Sequence, residues 1–298
     1  MKRRLRDVPG AVAMLLPSML LLAVWTVYPL VKAFINGTKS CDSTGTRCTD
    51  VGWQQYSNVW SSREFQDALA VSLKLALMTV PTGLILGVGL AVLADKHLRG
   101  IGFFRTVFSS TVATSVAVAS LVWVVLLQPE IGVLSDLFSG WIPSLKNPGL
   151  LRDPGTALPA VALSSVWANL GFTFIVVTAG LQSIPRDLYE SAYVDGASSW
   201  RRFTNVTLPM LTPSLLFIVV VLTTRALQAY GEIALLTQGG PNPEKSTTTI
   251  PYLIYGENSL IRNNLGLKSA AAVLLFLVSL VFAVVQYRGF EKRVQYAR

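Results

Sequence analysis

Residues 154–185 read PGTALPAVALSSVWANLGFTFIVVTAGLQSIP, 32 positions without one charged side chain. Helices of soluble proteins seldom go about 20 residues without a charge on some face. A helix crossing the hydrocarbon of a bilayer needs roughly 20 apolar residues. Five further charge-free blocks accompany this one: Val8–Val31 (24 residues), Leu75–Ala94 (20), Thr106–Pro129 (24), Phe203–Thr224 (22) and Ser269–Tyr287 (19). Over all 298 residues, 14% are charged and 52% hydrophobic, whereas a soluble domain carries about 25% charged residues. The expected fold is all-α, a polytopic membrane protein with six transmembrane helices at about 10–32, 68–94, 105–128, 157–182, 204–230 and 268–288, forming a single transmembrane domain over 1–298.

The net charge of +9 and pI near 9.7 do not point to nucleic acid, because the charges are too sparse for a basic surface. Topology explains them instead. With both termini in the cytoplasm, the inner segments 1–7, 95–105, 186–202 and 288–298 hold 14 Lys/Arg in 46 residues. The outer segments 32–67, 130–153 and 226–268 hold nine in 103. The inner density is about three times higher, as the positive-inside rule requires. The first block follows Lys2-Arg3-Arg4-Leu5-Arg6, as a signal peptide would. It is longer than a signal core and no A-x-A-like site follows Tyr28-Pro29-Leu30-Val31-Lys32, so the expectation is an uncleaved membrane helix.

Several chemistries are excluded. The lone histidine, His97, sits in the basic turn Asp95-Lys96-His97-Leu98-Arg99, away from any nucleophile a triad would need. Gly240-Pro241-Asn242-Pro243-Glu244-Lys245-Ser246 lacks the glycine before its lysine and is no phosphate-binding P-loop. Both cysteines, Cys41 and Cys48, fall in the first outer loop. An oxidising exterior permits a disulfide there; two free thiols are the other reading. Without histidines nearby they make no zinc site, and no metal or cofactor is expected. Gly83-Leu84-Ile85-Leu86-Gly87 has the small-xxx-small spacing of closely packed transmembrane helices. A non-transport membrane enzyme or scaffold is the distant alternative, and it would need titratable clusters inside its spans. Between the inner and outer segments counted above, only Lys74 and Arg225 are charged.

The inner stretch Pro185-Arg186-Asp187-Leu188-Tyr189-Glu190-Ser191-Ala192-Tyr193-Val194-Asp195-Gly196-Ala197-Ser198-Ser199-Trp200-Arg201-Arg202-Phe203 is more than a connector. Pro185 opens a helix, Asp187 and Glu190 suit its N-terminal dipole, and Gly196 ends it. Ala197 to Phe203 starts a second helix. The pattern predicts a cytoplasmic helix–turn–helix knob offering acids, aromatics and an apolar ridge to a partner.

Glu190-Ser191-Ala192, three residues, Gly196, nine residues and Val206-Thr207-Leu208-Pro209 together resemble the E-A-A…G…I-x-L-P loop of bacterial ABC importer permeases. Ser191 and Val206 replace an alanine and an isoleucine. Leu236-Thr237-Gln238-Gly239-Gly240-Pro241, Thr247-Thr248-Thr249 and Tyr252 to Tyr255 resemble the L-T-x-G-G-P…T-T…Y-x-Y run of maltose-type carbohydrate permeases. With six spans and both loops in order, the likeness covers nearly the whole chain and implies a type I ABC importer permease fold in a bacterial inner membrane.

It also implies partners: a second permease subunit completing a heterodimer, two ATPase subunits docked on the loop 185–203, and an extracytoplasmic solute-binding protein. ATP hydrolysis would belong to the ATPases, so the chain itself is not expected to be an enzyme. Glu190, Ser191, Ala192, Asp195 and Gly196 would couple to the ATPases. Asn169, Gly171 and Phe174 in span four, and Gln228, Tyr230 and Glu232 after span five, would line the solute path. Aromatic faces stack on sugar-like rings or quaternary amines and amides bond hydroxyls. Bonding between helices is the plainer role for Asn169 and Gln228. Gln228-Ala229-Tyr230-Gly231-Glu232 before the GGP run is similar to permeases of glycerol-3-phosphate or glycerophosphodiester importers, moving solute by alternating access. A disaccharide or oligosaccharide is the other solute reading. Arg225 is open to two roles, attracting a phosphate or snorkelling to the outer interface.

Overall fold

A computed structural model describes residues 8–41, 47–95, 99–129, 132–139, 149–241, 244–256 and 264–291. His97, Lys2, Arg3, Arg4, Arg6, Lys292, Arg293 and Arg298 lie outside the described residues. Among the described residues five helices are long and apolar enough to cross a membrane: Val12–Asn36, Arg63–Ala94, Ala157–Gln182, Ser199–Leu227 and Leu265–Gly289. A sixth apolar segment is broken, with Ile101–Ala113 and Val116–Leu127 meeting at 107°. The break has a local cause. Thr114 and Ser115 are extended, and the Ser115 hydroxyl accepts from the Val118 N–H at 3.2 Å, starting a new helix.

Prolines shape two of the long helices in one way. A widened turn at Ala23–Val27 precedes Pro29, and another at Phe203–Thr207 precedes Pro209. Proline cannot donate to the carbonyl four residues back and clashes with it. Both helices take up the mismatch by bonding five residues back, Tyr28 N–H to the Ala23 carbonyl and Leu208 N–H to that of Phe203.

The chain divides into two compact units, Met1–Phe65 with Glu257–Leu277, and Gln66–Gly256 with Val278–Arg298. In the first, the N-terminal helix turns its apolar side chains outward, with Met14 85% and Trp25 76% exposed, as suits a helix bathed in lipid. A small antiparallel hairpin follows, pairing Lys39 with Asp50, Ser40 with Thr49 and Cys41 with Cys48. A disulfide joins the two cysteines. Phe34, Trp53 and Tyr56 cluster with ring centres 5.3–5.8 Å apart, and the Tyr56 hydroxyl donates to the Phe34 carbonyl at 2.9 Å.

The second unit is built around Ala157–Gln182, which serves two cores. Its first half packs Leu158, Val161 and Ala162 with Leu75, Trp123 and Ile233. Its second half packs Phe174, Val177 and Leu181 with Ala91, Leu211 and Ile218. At Gly87 helix Arg63–Ala94 comes close to Ala157–Gln182: a Cβ there would strike the Thr173 side chain. The small-xxx-small spacing thus marks a real close approach. Arg105 donates through Nε and Nη2 to the Ala94 carbonyl, at 3.1 and 2.7 Å, neutralising the end of that helix.

Candidate functional site

The loop 185–203 is a helix, a turn and a second helix start. Arg186–Val194 begins after Pro185. It closes with the Ala197 N–H on the Ala192 carbonyl and the Gly196 N–H on that of Tyr193, both at 3.0 Å, the paired bonds of a Schellman ending. Gly196 sits at φ +71° with nothing within 4 Å of a Cβ built on it. It is therefore glycine for its backbone angle, not for crowding. The Ser198 hydroxyl then accepts from the Arg201 N–H at 3.3 Å, opening the helical run that continues as Ser199–Leu227. The Tyr189 and Thr207 hydroxyls pair at 3.1 Å. A cleft of about 390 Å³ lies between the loop and the end of Arg63–Ala94. Glu190, Ser191, Asp195 and Gly196 are exposed and Ala192 is half-buried. Beside them stand Tyr193, Val194 and Trp200, 71%, 84% and 72% exposed.

The GGP loop is held inward. Its three threonines each bond a different carbonyl: Thr247 that of Gly240, Thr248 that of Gly239 at 2.7 Å, and Thr249 that of Ala229 at 2.7 Å. The Thr247 hydroxyl also meets that of Thr237 at 2.7 Å. The Ile250 N–H donates to the Ser72 hydroxyl at 3.1 Å. These bonds tie the loop to the end of span five and to span two. They fix helix Ile250–Tyr255 so that Tyr252 and Tyr255 lie against Tyr230, ring centres 6.1 Å apart in both pairs.

Asn169 and Glu232 share a cavity with Arg225, Ser165 and Thr79. The cavity is small, about 20 Å³, room for a water or two. Arg225 Nη1 donates to Asn169 Oδ1 at 2.6 Å, and its guanidinium lies 4.6 Å from the centre of the Phe172 ring. Asn169 Nδ2 donates to the Ser165 carbonyl at 2.8 Å, so its amide is fixed from both sides.

Gln228 and Tyr230 are exposed beside this cavity. Gly171 and Phe174 face elsewhere. The Gly171 N–H donates to the Thr111 hydroxyl at 2.8 Å, and a Cβ on it would meet the backbone of Val112. Phe174 is 3% exposed, with its ring 5.8 Å from that of Phe108. Both hold the broken segment against span four. Phe172 and Ser165 were not among the expected site residues, and Arg225 was left open between attracting a phosphate and snorkelling. The signal for Arg225 was its position as a lone cation at the end of an apolar run; Phe172 and Ser165 carried none.

A family model described as the binding-protein-dependent transport system inner membrane component matches residues 67–296. The sn-glycerol-3-phosphate transport system permease protein UgpA of Agrobacterium fabrum is 32% identical over 285 residues, 94% of each chain. The sulfoquinovosyl glycerol transport system permease protein SmoG of the same organism is 32% identical over 281 residues, 93% of this chain and 89% of that one. In fold, the chain is similar to one from a bacterial ABC transporter involved in the import of the acidic polysaccharide alginate, with a TM-score of 0.81 over 99% of each chain at 24% identity. With its apolar helices and a family match over most of its length, the chain belongs to the binding-protein-dependent transport inner membrane components and is a membrane-embedded permease subunit of an ABC importer.

Proposed function

We propose that this permease moves sn-glycerol-3-phosphate or a glycerophosphodiester into the cytoplasm by alternating access. It forms a heterodimer with a second permease, is driven by two ATPase subunits and receives solute from an extracytoplasmic binding protein. Both termini and the loop 185–203 face the cytoplasm of a bacterial inner membrane. The observation that carries the solute is the near-full-length likeness to a permease named for sn-glycerol-3-phosphate. Asn169, Gln228, Tyr230 and Glu232 line the path. Glu190, Ser191, Ala192, Asp195 and Gly196, with the exposed Tyr193, Val194 and Trp200 beside them, seat the ATPase. An exposed apolar ridge on a cytoplasmic loop needs a partner to cover it.

A disaccharide or oligosaccharide is the second reading, and the stacked Tyr230 and Tyr252 rings favour it, since aromatic faces suit sugar rings. The test is uptake of labelled sn-glycerol-3-phosphate, glycerophosphocholine and maltose by the complete transporter in proteoliposomes. Uptake of the two phosphates at ten or more times the rate of maltose is expected; uptake of maltose alone would transfer the assignment to the second reading. Thr247 is buried, so topology is checked with cysteines at Ser198 and at Glu244 of the same outer loop, both exposed, which should label from opposite faces, Ser198 from inside.

A further inference from the structure

Arg225 stands at the end of the fifth apolar helix, where a charge is costly unless it serves something. Its surroundings position the guanidinium without neutralising it. Asn169 Oδ1 takes one N–H of Nη1 and the Phe172 ring lies beside the cation. Among the described residues the other guanidinium N–H groups have no acceptor, and no ion pair forms with Glu232, although that carboxyl lines the same cavity. Guanidinium offers five donors in a rigid fork that matches an oxyanion.

A second observation comes from another side of the cavity. Ser165 is 5% exposed, and its hydroxyl oxygen is buried without any hydrogen-bond partner. A buried hydroxyl left unpaired is costly, and Ser165 is one of the residues around the cavity that holds Arg225. The residues around the cavity therefore include unused guanidinium donors, a buried unpaired hydroxyl and the Glu232 carboxyl.

We propose that Arg225, held by Asn169 and Phe172 and assisted by the Ser165 hydroxyl, is the specificity-determining residue that takes the anionic group of the transported solute, while Glu232 accepts from its hydroxyls. The small volume takes a single oxygen of that group, with the rest of the group and of the solute outside the cavity, towards Tyr230. Phosphate monoesters, phosphodiesters and sulfonates share the necessary chemistry, and uncharged polyols lack it. The proposal rests on the import reading above and names the part of the solute that this cavity reads.

The test uses the complete purified transporter. Phenylglyoxal modification of Arg225, followed by mass spectrometry, is measured with inorganic phosphate, sn-glycerol-3-phosphate or glycerol present. At least fivefold protection by the two phosphates and none by glycerol is expected. In parallel, uptake is measured with saturating loaded binding protein, which removes the partner's own affinity from the rate. Arg225→Gln should slow uptake of the anionic solute tenfold or more, Arg225→Lys should recover most of that loss, and Ser165→Ala should slow it two- to fivefold. An uncharged solute should be affected less than twofold by any of the three.

Equal losses for charged and uncharged solutes would assign Arg225 to the bilayer or the partner subunit and overturn the proposal. Uptake of sn-glycerol-3-phosphate with full-rate Arg225→Gln and no protection would overturn it while leaving the import reading intact. Protection by phosphate in a transporter that takes up no glycerophosphate would support the anion subsite and remove the solute reading.

Discussion

Two loops of this permease turn on glycines with nearly the same backbone angle, φ +71° at Gly196 and +76° at Gly239, and their surroundings are opposite. Gly196 has empty space around it, whereas a Cβ on Gly239 would strike the Tyr252 ring and come within 3.0 Å of the Thr248 hydroxyl. One loop closes on itself with local bonds and leaves Tyr193, Val194 and Trp200 outward. The other bonds its own Gly240 and Gly239 carbonyls through Thr247 and Thr248. It reaches the Ala229 carbonyl at the end of span five through Thr249 and the Ser72 hydroxyl of span two through the Ile250 N–H, and it buries Tyr252. A loop meant to be grasped by another subunit needs a stable shape and a free face. A loop meant to hold a solute path needs anchors on the helices that form it.

The largest effect expected from this contrast is at Gly239. Gly239→Val adds a β-branched side chain at positive φ and drives it into Tyr252, which should cost about 3 kcal/mol or more. The purified transporter should melt several degrees lower and in poorer yield. An unchanged melting temperature would dissolve the contrast. At Gly196 only the backbone angle is at stake, about 1–2 kcal/mol for Gly196→Ala, so folding and pairing with the second permease should survive. Co-purification of the ATPase and uptake should nevertheless fall, more so for Gly196→Asp, while Gly196→Asn should retain both because asparagine tolerates this angle. The smallest stability effect belongs to Trp200→Ser, within about 0.5 kcal/mol because the ring is exposed. Its expected signature is weaker ATPase co-purification at normal melting temperature. Full ATPase retention would show that the exposed ridge is not the docking face.

The spans were legible because hydrocarbon tolerates so few charges that a count of uncharged positions finds them. The break at Thr114-Ser115 was not, since neither proline nor glycine marks it; a serine capping its own helix leaves only a polar pair inside an apolar run. The loop 185–203 could be read almost residue by residue, because its helix start, its ending and its glycine are local effects. The cavity was harder. Asn169 and Glu232 were legible as polar residues in apolar surroundings, and the structure brings them together. Gly171 and Phe174 lie on the side of the same helix that packs against Thr111 and Phe108, while their neighbour Phe172 meets Arg225. Which side of a uniformly apolar helix faces a cavity is set by its neighbours, and no periodicity records it.

The bend of 107° between Ile101–Ala113 and Val116–Leu127 bears on how the chain enters the bilayer during synthesis. At 1.5 Å per residue, the twelve residues of Val116–Leu127 reach about 18 Å and the preceding half little further, against roughly 30 Å of hydrocarbon. Neither half is an autonomous unit for insertion. Backbone groups freed at the corner need partners inside the protein, and the Thr111 side chain beside the corner accepts from the Gly171 N–H, which belongs to a helix made later. The segment must therefore wait, sheltered at the insertion machinery, until span four has emerged to receive it.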